Sequence, residues 1–219
     1  MAVSSRRSRL PALAGLLLAA TLASASGPAP LDLIHAAVDQ VLAELDARPE
    51  LRDDRAGLRR LVEERVAPHF DFAALSRLAL GKHWRAASPA QQARFTDEFH
   101  RLLVRTYSGY LGEYNGETIE YQAQPVSDEG RRAAVLTRIN SPGRPPVTVE
   151  YSLYAGADDW KIYNVSVEGI SLVTTYRSSF DEEIRRESLD GLIETLVARN
   201  AGECMAGQSA PGQAVIATC

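Results

Sequence analysis

Four histidines, His35, His69, His83 and His100, are the side chains best suited to proton transfer near neutral pH. They are scattered, and no pair stands at the spacing that a metal site requires. Each reads as a surface or capping residue. His69 and Asp71 come closest to an acid–base pair, and a helix beginning at Asp71 accounts for that spacing equally well. Asp158-Asp159 fits a turn better than a cation site, and Glu63-Glu64 falls on a helix flank. The stretch from Gly112 to Thr118 lacks the lysine and the preceding strand of a phosphate loop. No serine sits in a nucleophile elbow. Asn164-Val165-Ser166 matches a glycosylation acceptor but lies inside a strand pattern. What is plentiful instead is apolar and tyrosine surface. Eight tyrosines in a chain this size suit a pocket with apolar walls and polar tips. A filled core has the same composition, so residue types alone leave both readings open.

The elements that must position this surface follow from periodicity. Ile34, Val38, Val41, Leu42 and Leu45 predict a helix over Leu31–Ala47, broken by Pro49. Leu51, Leu58, Leu61, Val62 and Val66 predict a second, ending before Pro68. Asp71 is placed to cap a third that carries Phe72, Leu75, Leu78 and Ala79 and closes at Gly81. Ser88-Pro89-Ala90-Gln91 is a capping box with proline in the first turn. It opens a long helix expected to reach about Tyr114. From Glu117 the period changes to two. Strands are expected around Ile119 and Tyr121, over Ala133–Asn140, over Val147–Tyr154 with strict alternation, and over Trp160–Val167 with apolar residues on both faces. Helices resume with Leu172, Val173, Tyr176 and Phe180, and again from Asp190. Three short turns, one at Asp128-Glu129-Gly130, make the strands a four-stranded antiparallel meander. The fold class is therefore α+β, with amphipathic helices covering one face of the sheet and a concave apolar interior beneath them.

The N-terminus adds location. Arg6, Arg7 and Arg9 precede an apolar run from Leu10 to Ala23, which ends in the small-x-small site Ala23-Ser24-Ala25. This is the pattern of a secretory signal peptide over residues 1–25. Its 14 apolar residues are short for a helix crossing ~30 Å of hydrocarbon. Ser5-Arg6-Arg7 matches a twin-arginine signal only in part, so both export routes remain open. The mature chain carries 21 basic and 28 acidic residues, a net charge of −7. That balance argues against a nucleic-acid partner and against electrostatic docking on anionic headgroups. The expected organisation is one domain over residues 26–200 and a flexible tail over 201–219. The tail holds both cysteines, Cys204 and Cys219, as a small disulfide loop or as two thiols.

Two blocks of sequence carry a family resemblance. The first runs Pro68-His69-Phe70-Asp71-Phe72, Leu80-Gly81-Lys82-His83-Trp84-Arg85 and Ser88-Pro89-Ala90-Gln91-Gln92, continuing through Phe95, Phe99, Leu102, Leu103, Thr106, Tyr107 and Leu111. The second is Trp160-Lys161-Ile162-Tyr163-Asn164-Val165, then Glu168 to Val173, Tyr176-Arg177 and Phe180. In order and spacing they resemble the MlaC family, also called toluene-tolerance auxiliary proteins. Asn164 stands where Asp is usual and Thr175 where Asn is common; the cysteine-bearing tail lies outside the pattern.

The resemblance implies a cystatin-like or nuclear-transport-factor-like cone with a deep apolar pocket. It implies a periplasmic phospholipid carrier without catalytic residues or cofactor, whose cargo is phospholipid. Its implied partners are an inner-membrane ABC transporter complex with a substrate-binding ring and an outer-membrane lipoprotein. The residues expected to line the pocket are Phe95, Phe99, Leu102, Leu103 and Tyr107 on the long helix. From the third strand come Val147, Val149, Tyr151 and Leu153, and from the fourth Ile162, Tyr163, Val165 and Val167. Lys82, Arg85 and Arg177 are the candidates to meet a headgroup phosphate. The competing readings are an isomerase or hydrolase with one Asp or His deep in such a pocket, and a structural adaptor with a filled core.

Overall fold

The computed structural model describes residues 29–124 and 130–202. The leader at 1–25, the Asp128-Glu129 part of the first turn, and both cysteines lie outside the described residues.

The front of the chain is helical, as its periodicity requires. α1 (Pro30–Ala47) starts with proline in its first turn and buries Leu33, Ile34, Ala37, Val41 and Leu45 on one stripe. The second helix does not begin at Leu51. Pro49–Asp53 forms a tight 3-10 turn, and Asp54 accepts from Ala56 N at 3.0 Å to cap α2 (Arg55–Arg65). α3 (Phe72–Leu80) is capped by Asp71, whose Oδ1 accepts from Ala74 N at 2.8 Å. It closes at Gly81, where the backbone takes φ +54°. A short helix that periodicity does not announce, α4 (Lys82–Ala86), follows at once.

α5 (Pro89–Ser108) carries the expected capping box: Ser88 Oγ accepts from Gln91 N at 3.2 Å and Gln91 Oε1 from Ser88 N at 3.0 Å. It ends earlier than expected, passing into a 3-10 turn over Gly109–Glu113.

The sheet has five strands, not four, in the order β1-β2-β3-β4-β5 and all antiparallel. They are β1 (Thr118–Ala123), β2 (Arg132–Asn140), β3 (Val147–Ala155), β4 (Trp160–Val167) and β5 (Ile170–Ser171). β5 escapes a periodicity search because it has two residues. A two-residue turn at Glu168 (φ 49°) and Gly169 (φ 76°) folds it back so that Val167 pairs with Ile170. α6 (Leu172–Arg186) and α7 (Leu189–Ala201) complete the chain.

Three apolar clusters result. α1 lays Leu33 and Ile34 against Val135, Leu153 and Ile162 of the sheet. The other end of α1 packs Val41 and Leu45 with Leu51, Leu58 and Leu61. The largest cluster is wholly helical, with Leu75 and Leu80 of α3, Phe95, Phe99 and Leu102 of α5, Val173, Tyr176 and Phe180 of α6, and Leu192, Ile193 and Leu196 of α7. α7 is also held by polar contacts: Asn200 Nδ2 donates to the buried Glu98 carboxylate at 2.7 Å and to its carbonyl at 2.9 Å. Phe70 packs against both the sheet cluster and the helical one. Its backbone bridges Ile162, and Asp71 N donates to Ile162 O at 2.9 Å.

Candidate functional site

Strand register decides which side chains share a face. Thr137, Val149 and Val167 stand in one row across β2, β3 and β4; Val135, Tyr151 and Val165 stand in the next, then Ala133, Leu153 and Ile162. Alternation alone cannot put Ile162 and Val165 on one side, because they are three residues apart. The ladder resolves this with a bulge. Ser152 pairs with Asn164 and Leu153 with Ile162, which leaves Tyr163 as the extra residue. The shift keeps Ile162, Val165 and Val167 together on the face that α1 covers. It explains why β4 reads as apolar on both sides.

Twelve of the thirteen expected pocket residues then divide into three groups. Phe95, Phe99 and Leu102 are sealed in the helical cluster, where Phe99 meets Tyr176 at 5.1 Å and Phe180 at 5.4 Å, edge to face. Leu153 and Ile162 are sealed between sheet and α1, and Val149 is buried. Leu103, Tyr107, Val147, Tyr151, Val165 and Val167 are half-buried. Tyr163 is a correction to the inward set. The bulge puts its ring on the opposite face, 6.1 Å from Tyr154 and beneath the Arg132 guanidinium.

The half-buried group is the part of the expected lining that the sealed clusters leave partly accessible. On α5, Leu103 and Tyr107 sit at i, i+4, on the flank that also carries His100. The His100 ring stacks on Phe72 at 3.8 Å, and Phe72 and Phe70 are half-buried as well. On the sheet the half-buried members are Val147, Tyr151, Val165 and Val167. Among the described residues, Ile170 at 52% is the one openly exposed large apolar side chain.

Its polar tips are few and satisfied. Burial raises the Tyr151 phenol, against the downward pull of its hydrogen bond with Thr137. Thr137 Oγ1 donates in turn to Val149 O at 3.2 Å. Burial likewise raises Tyr107, whose phenol is hydrogen-bonded to that of Tyr176. An apolar wall with neutral phenol tips can hold hydrocarbon.

Two of the three headgroup candidates, Lys82 and Arg177, have partners elsewhere. Lys82 Nζ lies 2.9 Å from Asp181, His83 Nε2 lies 2.6 Å from the same carboxylate, and Arg185 2.6 Å from its other oxygen. Hydrogen bonds from Lys82 and then His83 hold Asp181 down to about 2. Arg177 Nε donates to Leu78 O at 2.7 Å, closing the last turn of α3. Arg85 is exposed. The remaining histidines are similarly placed: His35 lies 2.9 Å from Asp39, His100 lies 3.0 Å from Glu63, and His69 is lowered by burial. Among the described residues no three His, Cys, Asp or Glu side chains gather as metal ligands, and no helix is long and apolar enough to cross a membrane.

Sequence reasoning missed the Asp181 cluster because Lys82 and His83 lie about a hundred residues from it along the chain. It missed the Tyr163 reversal although the signal was present: apolar positions 160, 162, 165 and 167 slip phase by one in mid-strand.

Comparison with known proteins agrees with this architecture. Residues 35–198 match the family model described as MlaC protein. The chain is similar to a toluene tolerance protein of Pseudomonas putida, 26% identical over 204 residues, covering 91% of this chain and 94% of the relative. It is also similar to the intermembrane phospholipid transport system binding protein MlaC of Haemophilus influenzae, 21% identical over 170 residues, covering 75% and 78%. Among solved structures it superposes, with a TM-score of 0.72 and 31% identity, on a phospholipid-binding protein from Ralstonia solanacearum in complex with a phospholipid. That match covers 78% of this chain and 97% of the neighbour.

Proposed function

Because the chain belongs to the MlaC family, we propose that it is a phospholipid carrier of the periplasm, exported by a leader cleaved after Ala25. One domain over residues 26–200 takes the acyl chains between the sheet and α5. The walls are Leu103 and Tyr107 on one side and Val147, Tyr151, Val165 and Val167 on the other. The sealed clusters around Phe99 and Leu153 hold those walls apart. The observation that carries the reading is the bulge-corrected register that sets Tyr151 beside Val165 and Val149 beside Val167, one apolar strip across β3 and β4 in which Val149 is buried and the other three are half-buried. The phospholipid held by the Ralstonia solanacearum neighbour supports it.

Energetics explain why such a protein needs partners and no catalytic residue. Burying two chains of about 15 carbons at ~0.8 kcal/mol per methylene yields on the order of 20 kcal/mol. The bilayer gives the same tails a comparable gain, so transfer is nearly balanced and limited by the route through water. Docking to an inner-membrane ABC transporter complex on one side and an outer-membrane lipoprotein on the other supplies that route. Because the apolar term is non-directional, headgroup selectivity is weak.

Extraction of the protein purified from periplasm with chloroform–methanol tests this, by mass spectrometry of what is released. Diacyl phospholipid near one per chain is expected. Protein that carries no lipid and takes none from phospholipid vesicles is not a carrier.

A further inference from the structure

The outer face of the sheet carries a second feature that cargo binding leaves unused. The bulge that keeps Val165 and Val167 beside Tyr151 turns the Tyr163 ring outward, where the Arg132 guanidinium lies 5.8 Å from its centroid. α3 forms the facing wall through Arg77 and Leu78. Together with Arg131 and Tyr154 these residues enclose a groove of about 380 Å³. The nearby carboxylate of Asp71 is already engaged by Ala74 N and the Tyr154 phenol. Three arginines thus gather in a chain with an excess of acidic residues, 28 against 24.

We propose that this groove is a docking site for an acidic segment of a protein partner. The inference rests on the carrier reading, since a carrier that holds cargo on one face of its sheet must be recognised elsewhere. Guanidinium groups recognise carboxylates through paired hydrogen bonds, and flanking tyrosine rings seat the methylenes between them. Arg131 lies in the turn before β2 and Arg132 is the first residue of that strand, and both line the groove. Arg77 stands on the opposite wall. The charges of Arg131 and Arg77 are therefore held on two walls of the groove, as an extended run of carboxylates needs, instead of closing on one small anion. A groove walled on both sides by α3 and the sheet admits one extended segment, whereas a planar membrane cannot enter it. Against the net negative charge of the whole chain, the basic patch is the place where an acidic segment is attracted.

The test is fluorescence anisotropy on the mature chain with a labelled peptide of about ten residues alternating Glu and Leu, beside its Gln–Leu counterpart. Binding of the acidic peptide alone is expected, weakening as salt rises from about 50 to about 300 mM. Arg77→Glu combined with Arg131→Glu should weaken it about tenfold or more. Arg77→Gln with Arg131→Gln should act in the same direction, and Arg59→Glu, exposed on α2, should not. Lipid content by native mass spectrometry should be unchanged in these variants. Equal binding by the Gln–Leu peptide, or no loss in the arginine variants, overturns the proposal. So does displacement by inorganic phosphate at matched ionic strength. If the variants lose lipid as well, the groove belongs to the cargo site and the docking proposal fails. Absence of lipid from the unaltered protein defeats the carrier reading alone, because peptide binding still reports on the groove.

Discussion

The phenol of Tyr154, on the outer face of β3, donates its proton to the carboxylate of Asp71, the residue that caps α3. The backbone N–H of Asp71 also donates to Ile162 O on β4. One residue therefore starts a helix, extends the edge of the sheet and anchors a tyrosine from the neighbouring strand. Shared hydrogen bonding with Asp71, more than burial, raises the Tyr154 phenol. Tyr154→Phe should cost about 1 kcal/mol, the usual net value of one hydrogen bond. Asp71→Ala should cost about 2–3 kcal/mol, because a helix cap goes with it. Urea denaturation of both single variants and the double variant measures the coupling. Strictly additive losses would show that the contact does not join sheet and helix.

The division of the expected pocket residues gives a sharper test of the carrier reading. Phe99 has 1% of its surface exposed and touches Phe95, Tyr176 and Phe180. Phe99→Ala should cost about 3–5 kcal/mol through the cavity it leaves. Leu103 and Val167 are half-buried beside the space assigned to acyl chains. Leu103→Trp and Val167→Trp should fill that space and leave the thermal midpoint within a few degrees of the parent. Their lipid occupancy by native mass spectrometry should fall severalfold. Full occupancy in both tryptophan variants would place the cargo elsewhere.

That contrast marks where the sequence stops being legible. Local rules placed the capping box at Ser88 and Gln91, the Asp71 cap and the alternation of β3, because each depends on a few neighbouring residues. Whether an apolar side chain is sealed or beside a void depends on what packs over it. Phe99 and Leu103 therefore look alike in the sequence and differ in the fold. β5 was invisible because two residues carry no period, and Glu168 is not a residue expected at positive φ. Lys82 was legible as a cation. Its partner Asp181 was not, since only tertiary packing brings α4 to α6.

The Asp181 cluster gives an acid-side expectation. Lys82 and His83, with Arg185 behind them, lower this carboxylate from 3.8 to about 2. A depressed folded-state value means that the unfolded chain takes up a proton first as pH falls. The contribution of Asp181 is thus complete above pH 3.8 and disappears between pH 3.8 and about 2. Asp181→Asn should flatten the thermal midpoint across that interval relative to the parent, and added salt should narrow the difference. Identical profiles from pH 5 to pH 2, read by calorimetry, would remove the cluster from any account of stability.

At the alkaline end the phenols act together. Burial raises Tyr107, Tyr151 and Tyr176, and raises Tyr121 to about 12 with help from Asp39. A raised phenol keeps its proton in the folded chain where the unfolded chain has lost it. The unfolded state then binds fewer protons, and stability falls as pH rises. The stabilisation is complete below the unfolded value of 10.0 and is lost above it, for Tyr121 between 10.0 and about 12. Urea midpoints should hold steady from pH 7 to 9 and drop steeply beyond 10, with phenolate absorbance rising together with unfolding. Tyr107→Phe removes one such group and its hydrogen bond with Tyr176, so it should lower stability at pH 8 by about 1 kcal/mol and soften the decline above pH 10. Phenolate absorbance that appears at ordinary pH while the chain is still folded would mean these rings face water instead of each other and the apolar wall.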